Sequence, residues 1–126
     1  MESVRRFVIQ EHTIAGQVHW DLMLEVGRVL QTYRLELPPE KLLQQPSAAV
    51  RIFDHPLRFL AYEGSINNGR GSVEIAEAGT YQILGESQNR QELQLDGRIL
   101  KGKFALTQIE NDRWEFGRCQ NLQPKD

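Results

Sequence analysis

The chain has 126 residues, 40% hydrophobic and 25% charged, with a formal net charge of -2 and a pI of about 5.9. That length fits one domain, residues 1–126, able to bury a core without staples. The charge excludes a broad basic face for non-specific nucleic-acid binding, but not a local cluster of arginines in a cleft.

The opening segment MESVRRFVIQEH lacks the apolar stretch of a secretory signal. From Arg6 to His12 it alternates, with Phe7, Ile9 and Glu11 on one face and Val8, Gln10 and His12 on the other. Ala15-Gly16 lets the chain double back into a second strand, Gln17 to Val26. There His19, Asp21, Met23 and Glu25 share one face, and Trp20, Leu22 and Leu24 share the other, which is core material. Gly27-Arg28 is a tight connection, and the strand resumes from Arg28 to Leu37, making a hairpin. Pro38-Pro39 breaks it, and Pro39 to Gln45 reads as a short helix with proline in its first turn.

Arg51 to Phe53 is a short strand ending at Asp54-His55-Pro56, and Arg58 to Tyr62 is a further short strand or a helical turn. Residues 65–72, SINNGRGS, form a loop in which Asn67, Asn68, Gly69 and Gly71 tolerate positive φ. Strands are expected at Ser72–Ala76, Thr80–Gly85, Glu92–Leu95, Lys101–Ile109 and Arg113–Arg118. Their turns fall at Ala78-Gly79, Asn89-Arg90, Asp96-Gly97 and Asn111-Asp112, and Gln123 to Asp126 is a loose tail. Many short strands with one short helix read as a barrel or a sandwich. No window approaches the roughly 18 apolar residues of a membrane-spanning helix. The lone Cys119 reads as a packing or surface residue in a reducing compartment. A soluble, cytoplasmic, monomeric protein without membrane contact is expected.

Each of the three histidines, His12, His19 and His55, has a carboxylate next to it or two residues away. Taken singly, each is an ordinary polar residue at a strand end. Taken together, antiparallel neighbours would bring His12 beside His19 and Asp21. Two imidazoles and a carboxylate are a common set for Mn²⁺, Zn²⁺ or Fe²⁺, and three ligands leave positions open for water or substrate. Trp20 and Trp114 read as core or barrel-lining residues.

The segments FVIQEH, HWDLMLE, DHPLRFLAYEG, GSVEIAEAGTY, LDGRILKGKFAL and RWEF occur in that order. This run, from Arg6 to Phe116, resembles the 3′-phosphoesterase domain of bacterial DNA ligase D. The resemblance implies a mainly β fold, a small closed β-barrel of about eight strands with one short helix, acting as a stand-alone, divergent member. It implies a metal site at His12, His19 and Asp21, with Mn²⁺ preferred and Zn²⁺ an option. The spacing between the two histidines is one residue longer than in the family. It also places His55 on the scissile phosphate, with Asp54 orienting the imidazole or capping the turn.

The sequence departs from the family in its phosphate-handling groups. Met23 stands where the family has an arginine, Phe59 where it has a tyrosine, and no residue from Arg34 to Leu37 matches a family lysine. A thioether cannot clamp a phosphate as a guanidinium does. Arg34, Arg51, Arg58 and Arg70 are candidate substitutes. Arg51 is expected on the face of His55, four residues on, and Arg70 in a glycine-bracketed loop suited to an anion. The expected function is metal-dependent phosphoester hydrolysis at nucleic-acid 3′ ends in DNA repair, with His55 and Asp54 catalytic and His55, Arg51 and Arg70 on the phosphate. The alternatives are a catalytically weakened module that recognises phosphorylated ends or a repair partner, and a hydrolase of a small ester.

Overall fold

The computed structural model describes residues 4–119. In chain order the strands are β1 (Arg5–Ile14), β2 (Gln17–Val26), β3 (Val29–Leu35), β4 (Ser47–Pro56), β5 (Gly64–Ile66), β6 (Gly71–Ser87), β7 (Arg90–Gly97), β8 (Lys101–Glu110) and β9 (Arg113–Arg118). The helix α1 (Pro39–Leu42) follows β3, and a 3-10 turn (Leu57–Leu60) follows β4. The sheet runs β1-β2-β3-β4-β9-β8-β7-β6, and β1 pairs with β6 to close it. The result is a closed antiparallel barrel of eight strands. β5 adds a three-residue edge against the start of β6.

Alternation decides what fills the barrel. Phe7, Ile9, Leu22, Leu24, Tyr33, Leu35, Leu93, Leu95, Phe104, Leu106 and Phe116 point inward and are buried. Each such side chain contributes about 1.5–3 kcal/mol on leaving water. Trp20 and Trp114 pack against this core from its margin. Leu42 of α1 and Leu100 of the β7–β8 connection complete it. A second, smaller cluster lies on the outer face of β1 to β3. Val8, Met23 and Leu30 are buried there beneath Leu57, Phe59 and Leu60 of the 3-10 turn.

The hairpins at Ala15-Gly16, Gly27-Arg28 and Asn111-Asp112 lie where the sequence places them. Elsewhere the elements extend or fuse. The two strands expected on either side of Ala78-Gly79 are one strand, β6, of 17 residues. The barrel bends it without breaking it: a bulge in its pairing with β1 separates Glu77 from Ile75. A Cβ on Gly79 would lie 2.2 Å from the Asp96 carbonyl oxygen, so glycine there serves close strand approach and not a turn.

Asp96-Gly97 likewise ends β7, and the chain reverses over residues 98–100. The 65–72 segment is a hairpin of β5 and β6, in which Asn67, Asn68 and Gly69 have positive φ. The β6–β7 reversal falls at residues 88–89, one position earlier than expected, and the helix stops at Leu42. β4 starts at Ser47 because Ser47–Val50 pair with β9, a long-range partner that local sequence does not announce. The expected tail at Gln123–Asp126 lies outside the described residues.

Candidate metal and phosphate groove

The two-residue turn at Ala15-Gly16 sets the register of β1 on β2, and His12 falls directly opposite His19. His12 Nδ1 lies 2.7 Å from His19 Nε2. Asp21, two residues along the same face, places Oδ2 3.8 Å from His12 Nδ1 and Oδ1 3.7 Å from His19 Nε2. One nitrogen from each histidine and a carboxylate oxygen therefore lie within 4.8 Å of one another.

Burial pushes the pKa of both histidines down, and Asp21 only partly opposes that shift. At neutral pH both rings keep lone pairs to donate, as metal coordination requires. Two imidazole nitrogens and one carboxylate make a donor set that could hold a divalent metal ion. The buried Nε2 of His12 meets no hydrogen-bond partner.

β3 contributes from the other side. Arg34 is the cross-strand partner of Asp21, and its Nε lies 3.3 Å from Asp21 Oδ1. Thr32 Oγ donates to the Leu30 carbonyl at 3.0 Å. Its proton is thereby committed, so the 2.8 Å contact with His55 Nδ1 has the imidazole donating and the hydroxyl accepting. That fixes the neutral tautomer and leaves Nε2 of His55 as the proton acceptor. Two rings hold the imidazole: Phe53 stacks on it at 4.8 Å and 21°, and Phe59 meets it edge-on at 5.5 Å and 83°. Burial lowers the pKa of His55 as well.

The triad, Arg34 and His55 line one groove of about 440 Å³ on the outside of the barrel, with Met23, Phe53 and Phe59 among its apolar walls. Gln10 fastens one rim. Its side-chain amide donates to the carbonyls of Phe59 and Tyr62 at 2.9 and 3.1 Å, pinning the 3-10 turn over the outer apolar cluster. Met23 and Phe59 belong to that single cluster and pack as one unit.

Of the remaining candidates, Arg51, Asp54 and Arg70 stand apart from the groove. The pairing of β3 with β4 shifts register between Leu30 and Thr32, setting Ile52 opposite Thr32 but His55 opposite Leu30. The extra residue reverses the alternation, and Arg51 falls opposite Tyr33. The expectation that Arg51 shares the face of His55 therefore fails. Its guanidinium lies 5.4 Å from the Tyr33 ring centroid, and it pairs with Asp54 at 3.5 Å. Asp54 is exposed, and Thr32 supplies the partner of His55 that Asp54 was expected to be. Arg70 is exposed in the β5–β6 turn, whose Ile66 and Asn67 line the groove. Arg58 lines it too, with its guanidinium 5.1 Å from the Phe59 ring centroid.

Sequence reading missed Thr32, Gln10 and Phe53. The signal for Thr32 was its place two residues from Arg34, across the strand pair from Met23 and on the face it shares with Asp21.

The family model described as the DNA ligase D 3′-phosphoesterase domain matches residues 10–108. The chain belongs to this family. It is 30% identical over 138 residues to the multifunctional non-homologous end joining protein LigD of Mycolicibacterium smegmatis, a match covering 96% of this chain and 18% of the relative. The LigD of Mycobacterium tuberculosis, a multifunctional non-homologous end joining DNA repair protein, is 34% identical over 91% of this chain and 16% of its own length. That of Pseudomonas aeruginosa is 29% identical over 80% of this chain. The chain thus spans less than a fifth of these relatives. In this chain the two histidines and the aspartate sit on facing strands, with His55 lining the same groove. No helix of the described residues is long and apolar enough to cross a membrane.

Proposed function

We propose that this barrel is a metal-dependent phosphoesterase acting on phosphorylated or ribonucleotide 3′ ends of nucleic acid, in the manner of a DNA-repair end-processing domain. The observation that carries this is the convergence of His12 Nδ1, His19 Nε2 and the Asp21 carboxylate within 4.8 Å, in a groove shared with His55. A divalent metal on that triad, Mn²⁺ foremost and Zn²⁺ second, would neutralise phosphoryl charge and lower the pKa of a bound water.

The protein's own groups do the rest. His12 and His19 stay ligand-ready because burial disfavours imidazolium. Phe53, Phe59 and Thr32 hold the His55 ring, with Nε2 its free nitrogen. A phosphoryl group beside Nε2 raises the pKa that burial lowers, so the bound complex favours imidazolium. In hydrolysis the water oxygen bonds to phosphorus, the bond from phosphorus to the 3′ oxygen breaks, the proton from His55 Nε2 goes to that leaving oxygen, and the proton lost by the attacking water passes to solvent, from which His55 is reprotonated.

Calorimetric titration with Mn²⁺ tests the first step: His12→Ala should bind at least tenfold more weakly, about 1.4 kcal/mol. Turnover of a 3′-phosphate and of a 3′-ribonucleotide primer-template with Mn²⁺ tests the second. Asp21→Ala should abolish it, and undiminished turnover in that variant would falsify the assignment.

A second reading is a module that recognises phosphorylated ends without cleaving them. The observation favouring it is Met23, 1% exposed and packed with Val8 and Leu30, because a thioether supplies no phosphate donor. Losing one charge-stabilising donor typically costs about 10²–10³ in rate. End binding with no turnover for any divalent metal would select this reading.

A further inference from the structure

Of the arginines near the groove, three are turned away or engaged by aromatic rings. Arg51 lies over Tyr33 on the opposite face, Arg58 lies against the Phe59 ring, and Arg70 is at an exposed hairpin tip. Arg34 alone, among the described residues, contacts the triad. Its Nε is committed to Asp21 Oδ1 at 3.3 Å, while its two Nη groups meet no partner among the described residues. The side chain is 40% exposed and lines the groove. A guanidinium held by one edge presents its other edge as a fixed fork, the geometry that suits two phosphoryl oxygens. The antiparallel register puts this fork one cross-strand step from Asp21. Met23, opposite Thr32, fills the adjacent position on β2 with an apolar side chain.

We propose that Arg34 is the anion clamp of this groove, holding Asp21 through Nε and gripping a terminal phosphoryl group through its two Nη groups. The ligand class is a phosphate monoester or diester with one phosphoryl group seated between Arg34 and His55. This rests on the reading that a phosphoester occupies the groove. It adds that the clamp sits on β3 and is separable from the metal site.

The test uses the full chain, with Mn²⁺ and inorganic phosphate as probes, for wild type, Arg34→Lys and Arg34→Gln. Melting curves should show all three folded, since the side chain is partly exposed. Lysine keeps a charge beside Asp21 but has no fork. Expected are Mn²⁺ affinity in Arg34→Lys within about threefold of wild type and phosphate affinity, at saturating Mn²⁺, about 10- to 100-fold weaker in both variants. Wild-type phosphate binding by Arg34→Lys overturns the proposal. So does loss of phosphate binding that only tracks loss of Mn²⁺; Arg34 is then a counter-ion of Asp21. If wild type binds phosphate through Arg34 but never hydrolyses a 3′-phosphorylated primer-template, the clamp stands and the enzymatic reading falls. If it hydrolyses that substrate while both variants bind phosphate normally, the enzymatic reading stands and the clamp falls. Failure of wild type to bind phosphate with Mn²⁺ present removes both.

Discussion

At the triad, burial works against charge. His12, His19 and His55 all have pKa values below the ordinary 6.5, with desolvation the leading cause in each. The unfolded chain therefore takes up protons that the folded one refuses. Above the unfolded value the penalty is absent; as pH falls from about 6.5 toward the lower folded values, stability is progressively lost. Glu25, held down by its hydrogen bonds from Arg6, loses its contribution only below its own ordinary value of 4.5, so the two effects occupy separate windows. The expected outcome is a metal-free melting temperature that declines between pH 6.5 and 5, and declines less in a His12→Gln, His19→Gln double variant. Parallel curves for the two proteins would remove burial of these histidines as the cause. The triad was legible in the sequence because a two-residue turn fixes register by arithmetic: residues equidistant from Ala15-Gly16 face each other. Arg51 was not, because one bulged residue in β4 reverses every face beyond it.

Hairpin turns are the elements that sequence marks well, since residues such as Gly16 and Asn111 are chosen for positive φ. β6 shows the limit. Its bend satisfies a tertiary demand, closure onto β1 and β7 together, and Gly79 serves that closure while looking like a turn. Glu77 beside the bulge is another case. It is fully buried, and its carboxylate accepts the backbone N–H groups of Ala78, Arg98, Ile99 and Leu100 at 2.6–2.9 Å. Nothing in the local pattern distinguishes it from Glu74, yet it holds the β7–β8 connection and seats Leu100 in the core. Glu77→Gln replaces one acceptor oxygen with a donor facing buried N–H groups. The expected cost is about 3 kcal/mol, combining weakened charged hydrogen bonds with unsatisfied donors. Urea unfolding with an unchanged m-value checks it. A loss under about 0.5 kcal/mol, the size of an ordinary surface change, would mean Leu100 packing alone secures the connection.

Over the whole molecule, charge and shape divide the labour. The barrel is filled by one apolar core, while the groove lies outside it on a separate apolar cluster. Strand count and alternation left a barrel and a sandwich both open, and the family resemblance implied the closed barrel; the β4–β9 and β1–β6 pairings that achieve closure are long-range and leave no local trace. The net charge of -2 leaves no surplus of cations to track a nucleic-acid backbone. Arg34 and Arg58 are the cations that line the groove among the described residues. Affinity for a nucleic-acid end should then rest on one or two charge contacts plus apolar ones, such as the exposed face of Phe53, which is 73% accessible. Counterion release gives a slope of log K against log salt of about -0.9 per neutralised phosphate, so a slope of about -1 to -2 is expected. Fluorescence anisotropy with a labelled 3′-phosphorylated primer-template, in EDTA to stop turnover, measures it. A slope of about -5 or steeper would require a basic track that this composition does not supply. With the shallow slope, recognition is confined to the terminus, and affinity should be nearly independent of duplex length beyond the few nucleotides that reach Arg58.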